Sequence, residues 1–349
     1  PVLDIMTTQG TVCGVVARDR LTGQTRQIRS RAVVNATGAW ADRICSLRSP
    51  SIDLRPLRGS HLVLRRGDLP VPCSVTVPHP GDHRPIFAFP WENATVIGTT
   101  DLDHAQSMDH PARMEQAELD YLLSGVRAWF PDLGLDPSLV LSSFAGVRPV
   151  LAHKGREPSR EPRRHVVLDH QGLITVTGGK LTTFRLIARD ALLAVKDHIG
   201  SFQPAPSRSR LFSSLPMAQN RPSVLAHDQT LRLQSLFRHD LPGLLQTIRS
   251  ADCVPGTATL LDEVRWSVRH EQVVHLEDLM LRRTRLGLIL ENGGRDQLDE
   301  IAGVCARELG WSQVRRQEEI QAYLRLWKGY YAPCPQGPSP EQPPLEQHP

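Results

Sequence analysis

The sequence predicts an α/β fold, with strands and a few helices in the first 200 residues and helices alone beyond them. Three observations lead to this prediction: short apolar runs between Gly and Pro clusters up to residue 177, apolar residues at helical spacing after residue 223, and a Ser-, Pro- and Arg-rich stretch between these regions. The 349 residues are 40% hydrophobic and 22% charged, and they contain no long apolar run. This composition excludes disordered, collagen-like and membrane-spanning proteins.

The first 47 residues predict a small meander followed by a short helix. Thr11 to Ala17 and Gln27-Ile28 predict two strands joined by a turn, and Ala32 to Val34 predicts a third, buried strand. That strand ends in Asn35-Ala36-Thr37-Gly38-Ala39-Trp40, where small residues let the backbone come close to a flat or anionic group. Ala39 to Leu47 predicts a helix.

Residues 54–151 predict a second sheet with one helix. The apolar runs between Leu54 and Thr100 are separated by Pro and Gly clusters, which is typical of antiparallel strands. Glu115 to Phe130 has leucines at helical spacing and ends at Pro131. Val140 to Phe144 predicts another strand.

A hairpin and a helix follow in the sequence. Val166 to Leu168 and Leu173 to Thr177 predict two strands around a turn at Gln171-Gly172. Gly178-Gly179 then leads into a helix from about Leu181 to His198.

The rest of the chain predicts a linker, a helical domain and a tail. Residues 201–222 lack periodicity and mark a boundary between domains at 1–200 and 223–330. The proline-rich residues 331–349 predict a disordered tail. The helices are expected at residues 224–237, 261–290 in one or two pieces, 297–309 and 311–328.

Charge and cysteine usage limit the partners and the compartment. The net charge of +4 is spread along the chain and demands no nucleic acid. The six cysteines form no CxxC pair, which favours a reducing compartment and argues against a zinc ribbon or an iron–sulfur cluster, so no metal site is predicted. No secretory signal is readable, and the chain begins with Pro1 as if in mid-domain, which suggests a missing N-terminal part.

The strand-to-helix turn at Gly178-Gly179-Lys180 is the strongest local indication of chemistry. Glycines permit close backbone approach, and the N–H groups of a helix start, here near Thr182 and Thr183, attract an anion. The ligand would be a phosphate or a reduced, anionic flavin. An ordinary turn capped by threonine explains the same residues equally well.

Three further positions are candidates for a polar site. Arg148, between an apolar run and Pro149, suits bidentate recognition of phosphate or carboxylate, although a strand-end arginine in solvent is the simpler interpretation. His61 begins an apolar strand and is a candidate for proton transfer near neutral pH, or a structural histidine. Thr100 follows another strand, where by itself it indicates only a turn.

Six short motifs follow one another over about residues 30–195. They are Val33-Val34-Asn35-Ala36-Thr37-Gly38-Ala39-Trp40, Arg58-Gly59-Ser60-His61, Phe89-Pro90-Trp91, Ile97-Gly98-Thr99-Thr100-Asp101, Ala145-Gly146-Val147-Arg148-Pro149 and Thr177-Gly178-Gly179-Lys180-Leu181-Thr182-Thr183. In this order they resemble the FAD-dependent glycerol-3-phosphate dehydrogenases. A weaker resemblance, from Glu263-Val264-Arg265-Trp266 to Arg285-Leu286, is to that family's helical C-terminal domain.

The resemblance implies a fold, a reaction and a location. The fold would be part of an FAD-binding, Rossmann-like domain with an antiparallel or mixed substrate sheet at about residues 50–150, then a helical C-terminal domain. The family oxidises sn-glycerol 3-phosphate to dihydroxyacetone phosphate and passes the electrons through FAD to quinone. The resemblance also implies a cytoplasmic protein that is held peripherally at the inner membrane. The arginine-rich residues 282–285 are a weak indication of this membrane contact. A homodimer is kept open.

The resemblance also assigns roles to residues. His61 would accept the proton, Arg148 and Lys180 would be catalytic, and the substrate would contact Arg148, Lys180, Thr100 and Arg164, with Arg160 and Arg163 competing for the role of Arg164. The residues expected to contact FAD are Ala36, Thr37, Gly38, Trp40, Gly178, Gly179, Lys180, Leu181, Thr182 and Thr183.

The sequence departs from the family in having no GxGxxG motif and no acidic residue about twenty positions after one. We therefore expect the N-terminal FAD-binding half to be absent. Two alternatives stay open: a flavin oxidase of the same superfamily, using oxygen or acting on an amine or amino acid, and an incomplete fragment that serves only as an interaction module.

Overall fold

The structure, a computed structural model, describes residues 1–48, 52–152, 164–200, 202–203, 205–206, 209–212 and 222–333. Parts of the expected linker, the expected tail beyond Pro333, and both Arg160 and Arg163 lie outside the described residues. The predicted α/β class is confirmed, with three sheets in the first 178 residues and helices from residue 227 onward.

The first sheet is an antiparallel meander of three strands. It contains β1 (Val2–Thr8), which the sequence analysis did not predict, β2 (Thr11–Arg18) and β3 (Thr25–Arg29). Ile5 and Val12 turn inward to a small core, because alternate residues of a strand face the same side.

The expected third, buried strand of this meander belongs to another sheet. β4 (Val33–Asn35) runs parallel to β12 (Leu173–Gly178), which is paired antiparallel to β11 (His165–His170). Val34 is 48% exposed, so the prediction of a buried strand is wrong there. Its apolar run is typical of a strand in a parallel sheet, but in the described residues β4 forms one edge of its sheet.

The central sheet is antiparallel. Its strand order is β10-β5-β8-β7-β6, and the two-residue β9 pairs with β5 as well. Helix α2 (Gln116–Trp129) packs its leucines against this sheet. Helix α1 (Ala41–Cys45) comes before the strands of this sheet in the sequence. The strands are β5 (Leu54–Arg65), β6 (Val75–Pro78), β7 (Pro85–Trp91), β8 (Ala94–Gly98), β9 (Leu102–Asp103) and β10 (Val140–Leu151).

Strand β10 is twice as long as predicted, and this changes the setting of Arg148. Pairing with β5 continues from Val140 to Leu151, because each strand satisfies the other's backbone groups. Arg148 therefore lies inside a strand and not after one. Pro149 is compatible with this position because β10 is an edge strand of the sheet.

The hairpin of β11 and β12 leads, as predicted, into a helix. A short 3-10 turn at Leu181–Thr183 precedes α3 (Phe184–Ile199), which packs on the hairpin through Ala191 and Val195.

The secondary structure described from residue 227 onward is mostly helical, and these helices build the largest core. α5 was not predicted, and the expected helix at 261–290 is divided into α6, a π-helical segment at Asp278–Arg283 and α7. No helix in the described ranges is both long and apolar enough to cross a membrane. The helices are α4 (His227–Phe237), α5 (Leu241–Thr247), α6 (Leu261–His270), α7 (Leu286–Ile289), α8 (Leu298–Leu309) and α9 (Gln313–Tyr330).

The helical region anchors the first half of β10. The Ser142 hydroxyl donates to the Leu288 carbonyl at 2.7 Å, and the Ser143 hydroxyl donates to the Ala332 carbonyl at 2.6 Å. Phe144 packs against the helical core. These contacts hold the first half of β10 in place, and the second half, which carries Arg148, continues from it.

Candidate functional site

Arg148 is held by the loop that follows β8. Its Nη1 donates to the Asp101 carboxylate at 3.1 Å and to the Thr100 carbonyl at 3.4 Å, and its Nη2 donates to the Thr99 hydroxyl at 3.1 Å. The side chain is 28% exposed. Three acceptors from consecutive residues fix the plane of the guanidinium, which is the preorganisation that recognition of an anion requires.

Gly59 makes room for that guanidinium. A Cβ at this position would lie 2.6 Å from Cζ of Arg148, so any larger residue in β5 would displace the side chain. The sequence analysis quoted Gly59 within a motif but gave it no role. The space it leaves depends on an arginine 89 positions away, which no local pattern contains.

A nearly smooth strip lies between Arg148 and His61 on one face of the sheet. Cross-strand neighbours share a face, and the register pairs Phe144 with His61 and Gly146 with Gly59. Gly146 is exposed. Neither glycine adds a side chain to this strip, but the Arg148 guanidinium lies over Gly59, so only Gly146 leaves open backbone beside the cation.

Arg148 and Lys180 line the same cleft. Its volume is about 440 Å³, and its walls are residues 147–150 of β10 and residues 178–182 of the turn after β12. The sequence predicted both cations as separate candidates. The structure brings them together because β10 and β12 pack side by side.

The glycines of this turn have a structural reason. Gly178 (φ +73°) and Gly179 (φ +85°) adopt the left-handed conformation that glycine favours. A Cβ on Gly178 would collide with the Arg164 carbonyl, and one on Gly179 would lie 2.6 Å from Ile187 Cδ1. Close packing of the protein itself explains both glycines, so they are not evidence for a ligand.

The two expected cofactor segments meet at one edge of the small sheet. β4 and β12 are parallel with Asn35 opposite Thr175, so the turns after them, 36–40 and 178–183, lie at the same end. Asn35 bridges the strands by donating to Thr175 Oγ1 at 3.2 Å, and it accepts from the Thr37 hydroxyl at 2.7 Å. Carboxyl ends of parallel strands are where α/β proteins bind ligands.

The surface of this edge is open. Ala36 and Thr37 are exposed, and nothing in the described residues lies within 4 Å of a Cβ placed on Gly38. Leu181 is 87% exposed and Trp40 is 45% exposed. The indole N–H of Trp40 donates to the Met108 carbonyl at 3.1 Å, which fixes the ring.

Two buried polar atoms at the site have no hydrogen-bond partner within the part of the chain that the structure describes: Nδ1 of His61 and Oγ1 of Thr177. Thr177 is 3% exposed and immediately precedes the Gly178 turn. Buried polar atoms are normally paired, so each of these indicates a site for a further group.

His61 is neutral at physiological pH. Its ring stacks on Phe144 with centroids 4.7 Å apart, and Gly98 leaves room for it, since a Cβ there would lie 2.7 Å from Nε2. Burial, and secondarily the charge of Arg148, lower the pKa of His61 to about 4. A neutral imidazole can accept a proton, so the role of His61 in proton transfer stays a prediction.

Thr100 and Arg164 lie apart from the cleft walls. The Thr100 hydroxyl, 3% exposed, donates to Glu118 at 2.6 Å and accepts from the Ser60 N–H at 2.9 Å. Only its carbonyl meets Arg148. Arg164 is exposed and its carbonyl packs against Gly178. Neither residue is among those lining the cleft, so their expected substrate contacts stay predictions.

Glu118 was missed by the sequence analysis. It is 1% exposed and accepts from Ser60, Thr100 and Arg58 beneath the loop that holds Arg148. A usable signal existed, because Glu118 lies one turn before Leu122 on the buried face of α2.

The low pKa of His61 predicts how stability depends on pH. The unfolded chain takes up the proton near pH 6.5 and the folded chain only near pH 4, so this histidine lowers the free energy of unfolding as pH falls between these values, by up to about 3 kcal/mol. When pH is lowered from 7 to 4.5, the free energy of unfolding measured with denaturant should fall less for His61→Phe than for the wild type. An equal loss in both proteins would contradict the burial of the imidazole.

Comparison with known protein families gives two matches. Residues 1–185 match the family model described as FAD dependent oxidoreductase, and residues 236–316 match the C-terminal domain of alpha-glycerophosphate oxidase.

Individual proteins are similar over most of this chain. Glycerol-3-phosphate dehydrogenase 2 of Mycobacterium bovis is 31% identical across 90% of the chain and 56% of that protein, and the alpha-glycerophosphate oxidase of Streptococcus pneumoniae is 28% identical across 90% and 63%. The chain thus spans a little over half the length of these relatives. A solved structure, the glycerol-3-phosphate dehydrogenase of Bacillus halodurans complexed with FAD, superimposes with a TM-score of 0.75 at 27% identity, covering 97% of this chain and 70% of that one.

Proposed function

Since more than half of its residues match the family's model, this chain belongs to the FAD dependent oxidoreductases, and we propose that it forms the substrate-binding part of an enzyme that oxidises sn-glycerol 3-phosphate to dihydroxyacetone phosphate. The observation that carries the proposal is that Arg148 and Lys180 line one cleft and that His61 lies on the same sheet face as Arg148. Two cations on one cleft suit a phosphate dianion better than a carboxylate.

Each group has a task in the proposed reaction. Arg148 and Lys180 bind the phosphate, and the exposed backbone at Gly146 leaves room for the three-carbon chain. The neutral imidazole of His61 accepts the proton of the C2 hydroxyl as the alcohol becomes a ketone. Neutralisation of Arg148 by the phosphate removes one of the two causes that lower the pKa of His61, so substrate binding makes the imidazole a stronger base.

The open edge fits FAD. The exposed turn at residues 36–38 and the start of the helix at residues 181–183 form a surface on which a flat, anionic ring system can lie. The buried Thr177 hydroxyl, unpartnered within the described residues, lies just before that helix start. When bound, FAD supplies the acceptor for the two electrons removed from the substrate. Residues 179–183 and the turn after β4 would hold it.

We propose quinone, at the inner face of a membrane, as the final electron acceptor. The relatives named dehydrogenase favour an acceptor other than oxygen, whereas the match to an oxidase makes oxygen the second candidate. The arginine-rich residues 282–285 do not support membrane contact: Arg282 pairs with Glu277 at 2.9 Å, Arg283 donates to the Glu271 carbonyl and Arg285 stacks on Trp91.

The visible absorption spectrum of the purified chain is the first test. A flavin spectrum that is bleached by anaerobic sn-glycerol 3-phosphate would support both cofactor and substrate. A flavin spectrum that the substrate leaves unchanged would contradict the proposed reaction. Formation of stoichiometric hydrogen peroxide during turnover would mean that oxygen, and not quinone, is the electron acceptor.

Gly59→Ala should weaken substrate binding without weakening the fold. The three atoms nearest to the new Cβ belong to the Arg148 guanidinium, which must move away from its acceptors on residues 99–101. The lower entropy of the unfolded chain offsets this loss of hydrogen bonds. We expect the Kd for sn-glycerol 3-phosphate, measured by calorimetry, to rise at least about tenfold at an unchanged Tm. Gly67→Ala, where a Cβ meets nothing in the described residues within 4 Å, is the control. Equal Kd values for the two variants would refute the role given to Gly59.

A further inference from the structure

We propose that Glu118 is a positioning residue, which sets the guanidinium of Arg148 through Thr100 and so tunes the affinity of the cleft for the substrate phosphate. The inference rests on the proposed function of Arg148. Glu118 itself touches neither Arg148 nor the cleft.

The carboxylate of Glu118 is buried and satisfied from several directions. Oε1 accepts from the Ser60 hydroxyl at 2.8 Å and from the Thr100 hydroxyl at 2.6 Å. Oε2 accepts from Arg58 Nη2 at 2.9 Å and from the Glu115 N–H at 3.0 Å. A buried charge with this many donors is held in one place, because any displacement would leave a donor unpaired.

Thr100 connects the fixed carboxylate of Glu118 to the loop that holds Arg148. Its hydroxyl lies between Glu118 and the Ser60 N–H, which attaches the loop to the helix and to β5 at once. Its carbonyl and its two neighbours, Thr99 and Asp101, supply the oxygens that hold Arg148. The chain of contacts from Glu118 to Arg148 is therefore continuous and has one intermediate residue.

The charge of Glu118 matters for the direction of these hydrogen bonds. A carboxylate only accepts, so the Thr100 hydroxyl must donate to it and keep its lone pairs for the Ser60 N–H. In Glu118→Gln the amide oxygen is drawn to Arg58, which turns the amide N–H₂ toward the hydroxyls of Ser60 and Thr100. The Thr100 hydroxyl oxygen can accept from both the amide and the Ser60 N–H, but its own O–H has lost its acceptor, so the loop shifts.

Glu115 offers a matched control. Its side chain is 52% exposed and also pairs with Arg58, at 3.0 Å. In the described part of the chain its carboxylate accepts from Gln106 and contacts neither Ser60 nor Thr100. Glu115→Gln therefore removes one charge beside Arg58 and leaves the connection to the loop intact.

The test combines binding with the chemical reactivity of Arg148. Calorimetry with sn-glycerol 3-phosphate and with inorganic phosphate should give Kd values raised at least about tenfold in Glu118→Gln and Thr100→Val, and within twofold of wild type in Glu115→Gln and Thr100→Ser. Modification by phenylglyoxal, followed by mass spectrometry, should be at least fivefold faster at Arg148 in the first two variants, with Arg127 as the internal reference.

The outcomes separate this inference from the proposed function. Wild-type Kd values in Glu118→Gln and Thr100→Val, or a failure of Thr100→Ser to restore binding, would overturn the positioning role. If the wild-type chain binds no sn-glycerol 3-phosphate, the proposed substrate is wrong, and the phenylglyoxal rates still decide whether Glu118 positions Arg148. Equal rates at Arg148 in all variants would overturn it.

Discussion

Arg148→Ala is expected to lower kcat/KM for sn-glycerol 3-phosphate oxidation by about 1000-fold, the largest functional loss in this chain. The variant removes a preorganised guanidinium that pairs with a phosphate dianion, and it leaves the acceptors on Thr99, Thr100 and Asp101 facing the cleft. Loss of a charged, bidentate partner of this kind costs about 4 kcal/mol. The measurement is steady-state oxidation by FAD-loaded protein with an artificial electron acceptor.

Arg84→Ala provides the control for Arg148. Arg84 also approaches Asp101, at 3.7 Å, and is similarly exposed, but it is not among the residues that line the cleft. We expect a change in kcat/KM of threefold or less. A similar loss in both variants would mean that Asp101, and not the substrate, is the partner that matters. Unchanged activity in Arg148→Ala would mean that Arg148 does not bind the substrate.

Lys180→Met is expected to slow reduction of the bound flavin about 100-fold while changing FAD affinity by less than threefold. Lys180 lines the cleft with Arg148 and lies within residues 179–183, which are proposed to hold the cofactor. A cation placed there stabilises charge as it develops in the reaction, more than it stabilises the resting complex. Methionine keeps the length and apolar stem of the side chain.

Stopped-flow absorbance under anaerobic conditions measures the reduction rate, and FAD titration measures the affinity. Lys196→Met, at the far end of α3, changes the net charge equally and should affect neither quantity. If Lys180→Met weakens FAD binding as much as it slows reduction, the Lys180 side chain does not lie beside the reacting carbon. It would then serve only to bind the cofactor.

Local pattern was sufficient for most of the elements. The leucine spacing of α2 and the hairpin of β11 and β12 follow from residues close together in the chain, and the structure confirms both. β1 and α5 were missed because their side chains turn inward only against partners elsewhere, such as Leu173 for the core of the meander. The length of β10 was likewise set by its pairing with β5.

The site was predicted in part. Arg148, Lys180 and His61 were identified from motifs, and the structure places the two cations on one cleft and the histidine on the same sheet face as Arg148. The contacts that hold them were not predictable, because Gly59, Thr100 and Glu118 act through atoms that are distant in sequence. The neutrality of His61 also depends on burial, which a sequence motif does not encode.

The sequence by itself determined the α/β class, the order of strands and helices, the family and the types of residue available for chemistry. Local apolar spacing and short motifs are sufficient for these because each is decided within a few neighbouring residues. Only the tertiary structure decided that β4 leaves the meander, that two glycines oppose each other between His61 and Arg148, and that Glu118 is connected to Arg148 through Thr100. Strand register, burial and hydrogen-bond direction arise between residues far apart in the chain, so they exist only once it has folded.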